Sequence, residues 1–383
     1  MDSLNQILSS EPAYRRKQIE RAWFDVSLNN YDEITTLPIE LREKLKNISW
    51  LSLGVQTLLT SKLDNTRKIL FRLNDGNFIE TVIMGRVSKS PLGRGRGGLA
   101  NVVEPTPGLE ADPAQAGNSD RYTICISSQA GCPMRCVFCA TGKAGFKRNL
   151  TAEEIIDQIR YCQRILAKEN SKIKNIVLMG QGEPLLNYEN VKRALNVILQ
   201  NTDIGETKIT LSTAGVASVM EQAINDITFP KVRWAVSLHS AIEETRKQIM
   251  PSHQKGFLDF LVKWAGDYHN RIPSRSHFIG FEYLMLEGIN DGDKDLKALI
   301  TFCKKFPHLR INLIPFNDTS SDTPSPPQRR GQGEVSLPFT RTSPDHIDAW
   351  HKALMGAGFT STIRYSQGQD IMAACGQLSN TVC

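Results

Sequence analysis

Six short apolar runs with helical patterns between them limit the folds open to this chain more than any other feature. The runs are YTICIS (122–127), NIVLMG (175–180), KITLST (208–213), VRWAVSLH (232–239), IGFEYLML (279–286) and RINLIPF (310–316). Helical patterns lie at about 152–168, 188–200, 217–226, 241–250, 256–269 and 293–304. Strands alternating with helices in this way predict a parallel sheet covered by helices, an α/β fold. Six units are too few for a closed eight-stranded barrel, so the expectation is an open, partial (β/α)6 barrel over 121–317. In such folds the C-terminal strand ends carry the chemistry.

Upstream, EPAYRRKQIERAW (12–24) and LPIELREKLK (38–47) read as two short helices, the second opened by a proline in its first turn. RKILFRLNDGNFIETVIM (67–84) reads as two strands around an Asn-Asp-Gly turn. Together they predict a small N-terminal α+β accessory domain over 1–86. Residues 87–120 and 318–340 are rich in Gly, Pro and small polar residues and read as low-complexity insertions. The Arg-Gly tract at 93–98 reads as a solvated linker, with RNA contact as the alternative. A C-terminal segment, 341–383, remains.

No apolar run is long enough to cross a bilayer, and MDSLNQILSSEPAYRRKQ lacks the apolar core of a signal peptide, so a cytoplasmic, reducing location is expected. There, clustered cysteines read as metal-binding or catalytic rather than as a disulfide framework. A net charge of +6 and a pI near 8.8 permit an RNA partner without requiring one.

Three of the eight cysteines, Cys132, Cys136 and Cys139, lie in GCPMRCVFCATG (131–142) with the spacing C-x3-C-x2-C. A structural zinc site needs a fourth Cys or His nearby, and KAGFKRNLTAEE, which follows, supplies none. A ferredoxin-type cluster also takes four thiolates. The third reading is a cluster held by three thiolates, with one iron open to an outside ligand. Gly131, Pro133 and Gly142 suit a loop wrapped around such a centre.

C-x3-C-x2-C at the end of a first barrel strand resembles the radical S-adenosylmethionine (SAM) superfamily. That resemblance implies a [4Fe-4S] cluster on Cys132, Cys136 and Cys139, SAM on the open iron, and a low-potential electron donor of flavodoxin or ferredoxin type. Motifs at later strand ends agree with it: MGQGEP (179–184), LSTAG (211–215), VSLHS (236–240) and LIPFN (313–317). They nominate Gly182, Glu183, Ser212, Ser237, Leu238, His239 and Asn317 for SAM binding, with Glu183 holding the amino group.

CISSQAGCPMRCVFCATG (125–142) and GQDIMAACGQL (368–378) are similar to the RNA adenine methyltransferases of the RlmN/Cfr type, over nearly the whole chain outside the two insertions. The resemblance implies two SAM per turnover. Cys375 takes a methyl group from the first. A radical from the second removes hydrogen from that S-methyl group, and the carbon adds to the adenine ring. Cys125 then resolves the adduct as a disulfide with Cys375, which a thiol reductant resets. Glu80, in FIETV, matches the family's proton acceptor. The substrates implied are rRNA, at the peptidyl-transferase-centre adenosine, and a tRNA anticodon-loop adenosine, with the N-terminal domain docking RNA and the protein a monomer. Gln367-Gly368-Gln369-Asp370-Ile371 departs from the usual R-G-D-D-I, and Gln181 stands where methionine is common. Pro184 follows the carbon-2 pattern, whereas carbon-8 (Cfr) enzymes tend to have Ala there. A carbon-8 methyltransferase, a non-catalytic RNA-binding relative and a plain electron carrier are the other readings. Cys162 and Cys303 read as packing residues, and Cys383 has no assigned role.

Overall fold

A computed structural model of the chain describes residues 3–85, 121–274, 276–319 and 339–379. The Arg-Gly tract, most of both expected insertions and Cys383 lie outside the described residues.

The N-terminal part contains helices α1 (Ser3–Leu8), α2 (Ala13–Trp23) and α3 (Ile39–Leu45), then strands β1 (Gly54–Thr60), β2 (Arg67–Arg72) and β3 (Phe78–Met84). Pro12 and Pro38 sit at the N-caps of α2 and α3, where a missing N–H costs no hydrogen bond. The turn between β2 and β3 holds Asn77 Nδ2 and its backbone N–H on the Asp75 carboxylate.

Next come β4 (Arg121–Cys125), β5 (Gln129–Gly131), α4 (Ala140–Ala144), β6 (Phe146–Asn149), α5 (Ala152–Lys168), β7 (Lys172–Leu178) and α6 (Tyr188–Asn201). After these run β8 (Ile209–Thr213), α7 (Ala217–Asn225), β9 (Arg233–Ser237), α8 (Glu243–Ile249), α9 (Phe257–Arg271) and β10 (Ile279–Met285). The chain closes with α10 (Asp293–Cys303), β11 (Leu309–Pro315), α11 (Pro344–Gly356) and β12 (Thr360–Ile363).

Ten strands form one open sheet in the order β1-β2-β3-β4-β7-β8-β9-β10-β11-β12. From β4 onward every neighbour is parallel, whereas β1 to β4 are antiparallel. The six expected strands are all present, and β12 adds a seventh parallel strand beside β11. The result is a mixed α/β fold, a partial barrel with an N-terminal antiparallel region continuous with it. β5 and β6 pair separately as a short hairpin.

Helices on the outside bury one apolar stripe each. α5 places Ile155, Ile156, Ile159, Cys162 and Leu166 in the core. It starts at a capping box: the Thr151 side chain accepts the Glu154 N–H, and the Glu154 carboxylate accepts the Thr151 N–H. β10, with a parallel strand on each side, is buried along its whole length. Core packing thus fixes the strands, and their C-terminal ends fall along one rim.

Candidate active site

The loop after β4 carries the three clustered cysteines over the barrel rim, where Cys132, Cys136 and Cys139 line one cavity. Gly131 makes the loop possible: its φ is +75°, and a Cβ there would lie 1.8 Å from the Gly145 carbonyl oxygen. The Cys132 N–H donates to that carbonyl, and the Cys139 N–H donates to the Cys136 carbonyl. Burial pushes the Cys132 thiol up to about 12 and Cys136 well above the usual thiol range, the neighbouring cysteines adding to both. Three half-buried thiols on one cavity wall ionise readily only beside a cationic centre. Among the described residues no set of three His, Cys, Asp or Glu side chains closes on a single metal ion. Three cysteine thiols bordering one cavity, with no fourth Cys or His among its lining apart from Cys375 and His239, suit a metal cluster held by three protein thiolates.

Gly182, Glu183, Ser212, Ser237, His239 and Asn317 line the same cavity, at or just past the ends of β7, β8, β9 and β11. Leu238, between Ser237 and His239, does not reach it; its side chain is fully buried in the apolar core. Gly182 has φ +102°, and a Cβ there would meet the Gln129 side chain at 2.5 Å. Glu183 is buried, and its carboxylate accepts the Leu185 N–H at 3.1 Å and the Ala214 N–H at 2.7 Å. Burial pushes its pKa up to about 7 against the pull of those amides. A buried carboxylate held by neutral amides on a cavity wall is matched to an ammonium ligand, so the donor set fits the amino group of SAM.

His239 adopts φ +55° and lies edge-on to Phe138, 5.0 Å between ring centroids. Burial, with the Arg246 charge, holds its pKa down at about 3, so the ring is neutral. Its Nδ1 accepts the Leu284 N–H at 3.0 Å, which leaves Nε2 to carry the proton. Asn317 donates from Nδ2 to Ser366 Oγ at 2.8 Å and to the Cys375 carbonyl at 3.2 Å, tying the end of β11 to the C-terminal loop.

Cys375 is exposed on that loop and lines two cavities. One is the cavity just described. The other holds Cys125, at the end of β4, with Val82, Val177, Met179 and Ala373 around it. Burial pushes Cys125 up to about 12, Cys375 adds to this, and the Arg364 guanidinium opposes it. Glu80 lies on β3 two residues before Val82, the register partner of Cys125, and so shares that face. It lines neither cavity. Its carboxylate pairs with Lys68 Nζ at 3.0 Å and accepts from Gln181 Nε2 at 3.3 Å. Cys162 and Cys303 are buried in the core away from both cavities.

Two cations, one buried behind the cavity wall and one on it, carry no signal in the sequence. Arg246, inside EETRKQI of α8, has the pattern of a solvent-facing helix residue but is buried. It donates to the carbonyls of Ala214 at 2.6 Å, Leu238 at 3.2 Å and Ser237 at 3.3 Å, joining the ends of β8 and β9. Arg364, just past β12, pairs with Glu282 at 3.2 Å and lines both cavities. A lone cation at a strand end has no periodicity that would mark it.

Comparison with known proteins agrees with this architecture. The Radical SAM superfamily model matches residues 126–300. The dual-specificity RNA methyltransferase RlmN of Magnetococcus marinus is 36% identical over 376 residues, covering 97% of this chain and 90% of that protein. The dual-specificity RNA methyltransferase RlmN of Syntrophus aciditrophicus is 32% identical over 383 residues, covering 99% and 94%. The crystal structure of a radical SAM methyltransferase from Sphaerobacter thermophilus is 30% identical, with a TM-score of 0.78 over 99% of this chain and 97% of that one.

Proposed function

Because the chain belongs to the RlmN family of radical SAM RNA methyltransferases, we propose that it methylates carbon 2 of adenosine, at the peptidyl-transferase centre of rRNA and in a tRNA anticodon loop. Radical SAM enzymes use a [4Fe-4S] cluster and SAM. When bound, these supply a methyl group and a 5′-deoxyadenosyl radical. Cys132, Cys136 and Cys139 hold the cluster. Glu183 holds the amino group of SAM, and Gly182, Ser212, Ser237, His239 and Asn317 form the rest of its wall. Leu238 contributes from behind, by packing.

Adenine carbon 2 is too poor a nucleophile to attack SAM, so this chain's own sulfur carries the methyl group. Cys375 Sγ, as its thiolate, would accept the methyl group; that S-methyl group would give up one hydrogen atom to the deoxyadenosyl radical, the resulting carbon would bond to the ring, and the surplus electron would return to the cluster. Cys125 Sγ bonds to Cys375 Sγ as the Cys375 sulfur–carbon bond breaks, which leaves the carbon on the base. Glu80 serves as proton acceptor. Two SAM are consumed per turnover, a flavodoxin- or ferredoxin-type donor supplies the electron, and a thiol reductant reopens the disulfide. The protein acts as a cytoplasmic monomer with residues 1–86 docking RNA, and the target base is presented unstacked.

One observation carries this reading: Cys375 lines both the three-cysteine cavity and the Cys125 cavity. A sulfur that takes a methyl group on one side and is resolved on the other needs that position. Pro184 favours carbon 2 over carbon 8. Nuclease digestion and mass spectrometry of rRNA and tRNA from a deletion strain and its complement test it. Restored 2-methyladenosine supports the proposal, and 8-methyladenosine contradicts it.

A further inference from the structure

The loop that bears Cys375 is gripped from two sides. Its later half rests on the barrel rim. There the Ala140 N–H donates to the Gly376 carbonyl at 2.8 Å, Thr141 Oγ1 to the Leu378 carbonyl at 2.6 Å, and Gln377 Nε2 to the Asp318 carbonyl at 2.7 Å. Its earlier half rests on the N-terminal hairpins, some 300 residues away in sequence. The Asp64 carboxylate, in the β1–β2 turn, accepts the Gly368 N–H at 2.8 Å. The Lys62 N–H donates to Asp370 Oδ2 at 2.9 Å. Gln367 Nε2 donates to the Gly85 carbonyl, past β3, at 3.3 Å. Lys68 Nζ, buried on β2, donates to the Met372 carbonyl at 3.2 Å while it pairs with Glu80 at 3.0 Å.

We propose that Lys68, supported by Asp64, is a positioning residue for the reaction: the β1–β2 hairpin clamps the loop 366–378 so that Cys375 faces both cavities. Burying an ammonium is costly, and a buried pair seldom adds net stability over an apolar pair of the same volume. What Lys68 adds is reach and direction. Its ammonium has three donors, and one is aimed at the Met372 carbonyl, where the backbone turns through φ +52° three residues before Cys375. Asp64 is itself held in place, since it also accepts the Thr66 N–H at 3.0 Å. The earlier half of the loop therefore has its own anchor, separate from the cavity wall. The catalytic part of this inference rests on the methyltransferase reading above; the clamp itself does not.

The test uses the full chain with its cluster reconstituted, as wild type and as Lys68→Met, Lys68→Arg and Asp64→Ala. Amide hydrogen exchange over 366–378 and the rate of Cys375 alkylation by iodoacetamide report the clamp without reference to RNA. Product assays give the methyl groups transferred per 5′-deoxyadenosine formed. Lys68→Met and Asp64→Ala should speed loop exchange and change Cys375 alkylation about tenfold. Cluster absorbance and deoxyadenosine formation should stay within about twofold, while methyl transfer per deoxyadenosine falls about tenfold; Asp64→Ala decides the positioning role, because it leaves the Lys68–Glu80 pair in place. Lys68→Arg should restore most of that ratio. Exchange and alkylation like wild type in both variants would overturn the clamp. If Lys68→Met does not assemble its cluster, Asp64→Ala, in a half-buried turn, decides alone on the same criterion. A wild-type protein that methylates no RNA while the exchange difference persists supports the clamp and contradicts only the assigned reaction.

Discussion

At the scale of single residues, Glu183 links burial to pH. Its pKa in the fold is about 7, against 4.5 for an ordinary glutamate, because burial disfavours the charged form. Pairing with the SAM ammonium needs the carboxylate. Affinity for SAM should therefore weaken as pH falls below about 7, by up to about tenfold per unit. Equilibrium binding between about pH 6 and about pH 8 checks this, and a flat profile contradicts it. For folding the sign is reversed. A folded pKa above the unfolded one stabilises the fold below about 4.5, and that contribution is lost as pH rises through about 7. Cys375→Ala removes the proposed methyl acceptor and leaves the proposed cluster ligands Cys132, Cys136 and Cys139 in place. RNA methylation should then fall below detection while deoxyadenosine continues to form; methylated RNA from this variant would contradict the role. Spacing marked Cys132, Cys136 and Cys139 and a strand-end motif marked Glu183, and all four line one cavity; Cys125 and Cys375 were nominated by resemblance alone, because a lone cysteine in an apolar or small-residue run reads as packing. Lys68, Arg246 and Arg364 were not, because an isolated cation reads as solvated until the fold buries it. Leu238 shared a motif with two cavity residues but faces the core, as alternation along an extended segment requires.

Among the elements, legibility followed burial. The six parallel strands from β4 to β11 stood out as apolar runs because helices or neighbouring strands cover them. β1 and β12 did not. β1 is an edge strand, exposed or half-buried throughout, and β12 has only four residues, TSTI, one of them buried. Edge strands do not need an apolar run, so pattern alone passes over them. Eight helices were legible from their stripes and caps, whereas α1, α4 and α11 were passed over, and α5 tests that reading. Thr151→Ala removes the cap and should cost about 1 kcal/mol. Ile159→Ala leaves a cavity in the core and should cost about 2–5 kcal/mol. Denaturant unfolding checks both: the midpoints should fall in that order with the slope unchanged. Equal losses would mean that α5 is not held mainly by its buried face.

For the molecule as a whole, the sequence suggested an N-terminal module and a barrel, but β3 pairs directly with β4, so one sheet runs through both. Ser127 Oγ, beside the cysteine loop, donates to the Glu80 carbonyl at 2.6 Å, and Thr81 Oγ1 donates to Gln158 of α5 at 2.8 Å. Removing residues 1–86 would bare the β4 edge and leave these buried groups unpaired. The truncated chain should aggregate or lose cooperative unfolding; a soluble, cooperatively unfolding 87–383 fragment would show instead that the N-terminal part is dispensable for the barrel. The charge of +6 is compatible with an RNA substrate and did not identify one.

In the proposed reaction the methyl group reaches the base by way of Cys375, losing a hydrogen on the route. SAM carrying a fully deuterated methyl group tests this directly, with mass spectrometry of the methylated adenosine released from RNA. Transfer through the Cys375 sulfur predicts 2-methyladenosine whose new methyl group keeps two deuteriums and carries one ordinary hydrogen. A methyl group that arrives with all three deuteriums would mean direct displacement from SAM and would contradict transfer through Cys375.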